Sequence, residues 1–333
     1  LPILIDNSTM EKTASCHTAV AMERVLHLKP KAGSPQLEAG TAMHKAWEKF
    51  FNGEDVEVCI LALREHYSSK LPYFEDIKPT YDLANLENLF RIWASKHPNR
   101  EFPWVSQYVE KGFQVRLFPD LGVDLIGKMD TFGADGTGSY CVVDWKTTGY
   151  NLDTRWFRKI QNGSQVSAYL YATQRLFGSA VWVFYIMALK MKVVPMSNRT
   201  CKEHGMKYWN PEKKEGCYHE HADYKVESAY RNKTQLLGWY QDARLITQDY
   251  LHILENVKSI EDIGRVPMQG VFNNSCQDCS YREFCHSFNR KPESAEQLFD
   301  YKPWSPLLDM DKEDIFYEKE IDYDGADGSL LVV

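Results

Sequence analysis

The sequence predicts a mixed α/β fold: a central mixed sheet flanked by helices, with core elements in the order α, β, β, β, α, β. Three observations predict it. Three short β-type runs, at residues 112–118, 123–132 and 139–146, follow one another with turn residues between them. Helix-like segments lie on either side of this group. The longest apolar run, residues 180–189, suits a buried strand and is too short to cross a bilayer.

In order, residues 8–28 read as a helix opened by Ser8 or Thr9 and carrying Cys16. After the link KPKAGSP, a second helix at about 36–51 places His44 and Glu48 four apart on one face. An Asp/Leu/Tyr-rich helical region runs to about Lys96, and HPNREFPW breaks it before the strands begin. A helix at about 160–177 follows them, then the apolar strand. Residues 195–224 are polar, interrupted by Pro and Gly, and read as an insertion; a long helix at about 235–257 leads to a cysteine-rich loop at 270–290. Length suggests one or two domains. The expected organisation is a single domain over 1–308 and an acidic tail over 309–333 that is peripheral or partly disordered.

Charge is unevenly placed. Nine acids and two basic residues fall between Asp309 and Asp327, so the tail alone accounts for the formal net charge of −7. From Lys146 to Lys202 there are nine basic residues against one acid, Asp153. A phosphate backbone could lie along that basic part, among which Arg155, Arg158 and Lys159 are candidate DNA contacts; a merely solvated basic face is the competing reading. No signal-peptide pattern opens the sequence, so an intracellular location is expected, cytoplasmic or nucleoid-associated, or inside a host cell for a viral protein. No membrane association is expected.

The chemistry concentrates in residues 123–148, VDLIGKMDTFGADGTGSYCVVDWKTT. The turn ADGTG joins two strands, bringing Asp130 beside Asp144 and Lys146. In a strand, residues i and i+2 share a face, so Asp144 and Lys146 point one way and Trp145 the other. Two carboxylates and a lysine suit a hard divalent ion, with the lysine left for the reaction; solvated acids near a hairpin turn are the competing reading. Gln165 and Tyr169, four apart on the next helix, share a face.

In order, GTAMHKAWE, GKMD, DWKTT and QVSAY resemble the successive motifs of the PD-(D/E)XK nuclease superfamily, in its RecB-like branch. The resemblance spans about 8–286 and implies a restriction-endonuclease-like core. It makes His44, Asp130, Asp144 and the Trp145 carbonyl ligands of Mg2+ or Mn2+, Lys146 the catalytic lysine, and Gln165 and Tyr169 residues that position the strand. Asp144 stands where many members have Glu. Glu48 and Glu110 match commonly acidic positions, for which support of the site is expected over direct ligation. The implied activity is DNA hydrolysis, as an exonuclease on single-stranded ends. The alternatives are a non-cleaving nucleic-acid-binding scaffold and a module active only with a helicase or recombination partner. No GxxxxGK[ST] occurs, so an ATP-driven motor would come from another chain. Trp145, Tyr150, Trp156 and Phe157 are candidates to stack on bases, with core packing the competing reading.

Cys276, Cys279 and Cys285 have the spacing C-x2-C-x5-C. With Cys16 they match, through the resemblance, four ligands of a 4Fe-4S cluster, a structural zinc being the alternative. Such a closure would join the N-terminal helix to the C-terminal loop. Within the insertion, Cys201, His204, Cys217, His219 and His221 form a second candidate zinc set or a polar surface loop. Cys59 and Cys141 read as buried small residues.

Overall fold

A computed structural model of the protein describes residues 1–31, 33–74, 76–178, 181–192, 222–277, 279–286, 292–308 and 310–318. The chain opens with a strand the sequence reading did not anticipate, β1 (Ile3–Asp6), and Asp6 then caps helix α1 (Asn7–Ser15), its side chain accepting from the N–H groups of Ser8 and Thr9. The expected single helix breaks at Cys16, whose backbone is extended, before α2 (His17–Val20) and a π-helical turn, Ala21–Val25. A short strand, β2 (Leu28–Pro30), follows.

Helix α3 (Pro35–Phe51) begins with Ser34 capping Leu37 N–H and proline in the first turn, where its missing N–H is harmless. Its buried face, Ala39, Ala42, Met43, Ala46, Trp47 and Phe50, packs on α4 (Val56–Ser68) and α5 (Leu83–Ser95). The three central strands are longer than their sequence signatures: β3 (Trp104–Phe118), β4 (Val123–Asp135) and β5 (Tyr140–Thr148). In the β4–β5 turn, Asp135 Oδ1 accepts from Thr137 N–H at 2.8 Å and Ser139 N–H at 3.1 Å, and Gly138 takes the positive φ of +81° that favours glycine.

The expected helix at 160–177 is two, α6 (Thr154–Gln161) and α7 (Ser164–Phe177), broken at Asn162–Gly163. Then come β6 (Val183–Lys190), β7 (Tyr224–Tyr230) and α8 (Lys233–Asn256), opened by an Asn232–Gln235 capping box. The chain ends with α9 (Arg282–His286), α10 (Pro292–Leu298), β8 (Phe299–Tyr301) and β9 (Ile315–Tyr317). The insertion and its candidate zinc residues Cys201, His204, Cys217, His219 and His221 lie outside the described residues.

The sheet runs β7-β6-β5-β4-β3-β9, mixed in direction, with β1 parallel to β4; β2 and β8 form a separate antiparallel pair. One face packs against α1, α7 and α8, the other against α3, α4 and α5, so each core layer is a sheet face covered by helices. The part of the acidic tail that is described does not hang free. Its strand β9 pairs with Gly112–Gln114, while Asp314 pairs with Lys111 and Glu318 with Arg175. That last pair draws one residue of the basic stretch to the tail.

One feature of the topology positions the site. The edge of β4 facing β5 pairs with it over Thr131–Ala134, and with β1 over Val123–Ile126. Gly127–Asp130, the GKMD segment, pairs with neither, and β5 from Asp144 onward pairs only with β6. The sheet therefore opens a gap at the two acidic motifs.

Candidate active site

Asp130 closes the gap with its own side chain: Oδ2 accepts from Trp145 N–H at 2.6 Å. The N–H and C=O of one strand residue face the same edge, so the Trp145 carbonyl also faces the gap. The Trp145 indole points the other way, fully buried, stacked on Phe51 at 5.1 Å and edge-on to Trp47 at 5.9 Å. Trp145 is thereby excluded from base stacking, and so is Phe157, which is 2% exposed.

On the α3 side, His44 Nδ1 lies 3.4 Å from Asp130 Oδ1 and 4.0 Å from Glu110 Oε1. His44 reaches the gap because α3 can approach β5 closely at Gly40, where a Cβ would lie 3.0 Å from Thr147 Oγ1. Glycine within a helix costs about 1 kcal/mol relative to alanine, and here it admits the close approach. Glu110 sits opposite Asp130, between the paired residues Val109–Thr131 and Lys111–Met129, with a left-handed φ of +55°. For a residue with a Cβ that backbone costs on the order of 1 kcal/mol or more. It turns the carboxylate into the gap, where Oε2 pairs with Lys128 and the buried Oε1 accepts no hydrogen bond. Ligand atoms of His44, Glu110 and Asp130 all lie within 4.8 Å of one another.

On the α7 side the groups bond one another, and Asp144 Oδ2, which accepts no hydrogen bond, lies 2.8 Å from the Lys146 ammonium. Lys146 Nζ donates to Asp144 Oδ1 at 2.9 Å and to Gln165 Oε1 at 3.0 Å, and Gln165 Nε2 donates to Asp144 Oδ1 at 2.9 Å. Tyr169, one turn on, donates to the Lys128 carbonyl at 2.9 Å and so anchors the unpaired GKMD segment. Glu48 pairs with Lys45 at 2.8 Å and stands apart from these groups.

The electrostatics record the crowding. Burial works against a charged His44, but Asp130 and then Glu110 outweigh it and hold its pKa above the usual value. Burial works against charge on Asp130 as well, and there His44, Lys146 and the Trp145 N–H prevail, lowering its pKa. Burial raises Asp144, with the Asp130 charge adding to it against Lys146. Burial and Asp130 raise Glu110 against Lys128 and His44. Burial disfavours the Lys146 charge, yet Asp144 and Asp130 raise its pKa. Three carboxylates, Asp144 buried and Asp130 and Glu110 half-buried, with oxygens unsatisfied make a donor set that fits a hard cation.

The α3 side opens into a cleft of about 710 Å³, lined among others by Gln36, Leu37, His44, Lys45, Tyr81, Glu110, Lys128, Asp130 and Tyr150. Tyr150, 77% exposed, is the stacking candidate that stands at this cleft. Trp156 is half-buried against the core, and Arg155, Arg158 and Lys159 are exposed on α6.

The sequence reading missed two participants, Lys128 and the full involvement of Glu110. The only signal for Lys128 was its place inside GKMD; for Glu110 it was an acid in the preceding strand.

At the far seam of the molecule, Cys16 meets the C-terminal loop. His17 N–H donates to Gln269 Oε1 at 2.9 Å, and Asn273 Nδ2 donates to the Ser15 carbonyl at 2.8 Å. A Cβ at buried Gly270 would lie 3.0 Å from Cys276 Sγ and 3.6 Å from Cys16 Cβ, a space only glycine leaves open. Cys279 is raised by burial and by the neighbouring Cys16 and Cys276, and Cys285 lies in α9. Cys59 and Cys141 are buried, as expected, their thiols pushed up to about 11 and about 12 by burial.

A family model described as the PD-(D/E)XK nuclease superfamily matches residues 7–286. No curated protein matches. Among solved structures, "Crystal structure of SSO0001" is similar at 10% identity and a TM-score of 0.30, over 84% of this chain and 94% of that one, a likeness too low to bear on the fold. Among the described residues, no helix is long and apolar enough to cross a membrane.

Proposed function

This chain belongs to the PD-(D/E)XK nuclease superfamily, and from that premise we propose that it is a RecB-like deoxyribonuclease that hydrolyses phosphodiester bonds with Mg2+ or Mn2+, as an exonuclease on single-stranded ends. The observation that carries the reading is the convergence, at one gap in the sheet, of His44, Glu110 and Asp130 on one side and of Asp144 and Lys146 on the other.

The metal would be held by His44, Asp130, Asp144 and the Trp145 carbonyl, and would supply Lewis acidity toward a phosphoryl oxygen. Lys146 then stabilises the charge that develops at phosphorus, and Gln165 fixes the direction of its ammonium. Trp145 and Tyr169 hold the two strand segments at a set separation, one through Asp130 and the other through the Lys128 carbonyl. Tyr150 offers a base a π-face at the cleft, and Arg155, Arg158 and Lys159 offer phosphates exposed cations.

Cys16, Cys276, Cys279 and Cys285 are proposed to hold a 4Fe-4S cluster, closing the N-terminal helices onto the C-terminal loop; the approach of Cys16 and Cys276 to one another across Gly270 supports it. Its role is structural. An intracellular location and a helicase or recombination partner go with the same reading.

Asp144→Ala and Lys146→Ala should each abolish Mg2+- or Mn2+-dependent degradation of labelled DNA with the fold intact, and unchanged degradation by both sinks the assignment. Single-stranded, duplex and end-blocked substrates test the exonuclease mode: cleavage of blocked or circular strands overturns it. Protein purified without oxygen should be brown; a colourless sample with stoichiometric zinc refutes the cluster.

A further inference from the structure

We propose that Glu110 and Lys128 form an exchange latch: Glu110 releases Lys128 when a divalent cation settles beside His44 and Asp130, and the freed ammonium takes a phosphate of the strand in the cleft. The inference rests on the metal-dependent reading above and adds to it a coupling between metal and nucleic acid.

Four observations carry it. Glu110 is divided between two neighbours, with Oε2 on Lys128 and Oε1 buried without a hydrogen bond, 4.0 Å from His44 Nδ1. Its left-handed backbone at +55° commits the side chain to that position. Lys128 rises from the four residues of β4 that pair with neither β1 nor β5, and both side chains line the cleft. Tyr169 holds the Lys128 carbonyl at 2.9 Å, so the backbone stays while the flexible side chain, 32% exposed, can turn outward.

The chemistry gives the direction of the effect. A hard dication prefers carboxylate oxygens. An ammonium on the same carboxylate repels it, so Lys128 in place weakens metal binding. A phosphate that draws Lys128 away removes that repulsion. By linkage, metal then strengthens strand binding by the same factor. Lys45, also in the cleft, pairs with Glu48 at 2.8 Å and feels the Glu110 charge only as a lesser influence, so it shares this coupling weakly.

The rings of Trp145 and Trp47 lie 5.6 and 5.7 Å from that of His44, so Mn2+ binding can be followed by tryptophan quenching without turnover. Asp130→Asn should bind Mn2+ at least tenfold more weakly; if it binds normally, the underlying metal site is wrong. Glu110→Gln should weaken Mn2+ about tenfold. Lys128→Met should tighten Mn2+ several-fold yet weaken binding of a fluorescein-labelled oligothymidylate in Ca2+, with the salt slope smaller by about 0.7, a deficit that shrinks in EDTA. Lys45→Met should change Mn2+ affinity less than Lys128→Met does. The opposite signs at Lys128 distinguish a latch from a structural ion pair. Weaker or unchanged Mn2+ binding by Lys128→Met overturns the latch, as does wild-type Mn2+ binding by Glu110→Gln while Asp130→Asn fails. Should Glu110→Gln not fold, the partly exposed Lys128 decides alone.

Discussion

On one side of the gap between β4 and β5, His44, Glu110 and Asp130 crowd together with an oxygen unsatisfied; on the other, Asp144, Lys146 and Gln165 close a ring of hydrogen bonds. Both sides use buried carboxylates and a cation. They differ in what is left over. The α7 side leaves one oxygen, Asp144 Oδ2, without a hydrogen bond, but that oxygen faces the Lys146 ammonium at 2.8 Å, so the lysine is already aimed. The α3 side is incomplete, and a buried polar atom without a partner is a cost that a ligand can remove. The difference separates a part of the site that is pre-set from a part that waits for charge.

Trp145 joins the two sides, and its removal should have the largest effect. Its N–H bonds Asp130 and its buried indole supports the gap from beneath, against Phe51, Trp47 and His44. Trp145→Ala keeps the backbone bond and deletes the support, so the expected loss is about 3–5 kcal/mol of stability, measured by urea unfolding. A loss below about 1 kcal/mol would mean that the two sides are held together by something else.

Gln165→Ala should come next. It opens the closed ring without touching the His44 group, so kcat should fall about 10- to 100-fold, roughly 1.4–2.7 kcal/mol of barrier, while Mn2+ affinity, which Gln165 reaches only through Asp144, falls by a smaller factor. Equal losses in both would erase the distinction between the sides.

Much of this arrangement was legible in the sequence. Alternation in a strand already put Asp144 and Lys146 on one face, and four-residue spacing put Gln165 and Tyr169 on another. The hairpin turn was readable from its Gly and Asp residues, and His44 from the resemblance of its motif. What escaped was non-local. Nothing in the letters says that β1 pairs with β4 and so strips Gly127–Asp130 of a partner, or that Glu110 adopts a left-handed backbone within a strand. The acidic tail was read from its charge as peripheral, although Ile315–Tyr317 adds a strand to the sheet edge. The break of the first helix at Cys16 was hidden because neither Pro nor Gly occurs between Ser8 and Leu28 to mark it.

Tyr169→Phe is a smaller probe. It removes the one hydrogen bond to the Lys128 carbonyl and leaves the ring packed on Phe113 at 5.6 Å. About 1 kcal/mol of stability should be lost, with activity falling less than about tenfold. A larger fall in activity would give the hydroxyl a direct part in the chemistry.

The contrast between open and closed surroundings extends to a second histidine, this one buried. Burial lowers the pKa of His97, against the help of the Trp93 carbonyl 2.7 Å from its Nδ1; its ring stacks on Phe102 at 5.0 Å and meets Tyr224 edge-on at 4.6 Å. His44 is shifted the opposite way by its carboxylates. A histidine whose folded pKa lies below its unfolded one binds a proton more readily when unfolded, so stability rises with pH across the interval between the two values. The His97 contribution is therefore complete above the ordinary histidine pKa and is lost as pH falls through the depressed one. Unfolding of the wild type should weaken with acid over that interval. His97→Phe, which keeps the stacking and cannot take the proton, should flatten that part of the curve. An unchanged pH dependence in His97→Phe would show that the aromatic cluster tolerates the charge, and that its closure is looser than that of the α7 side.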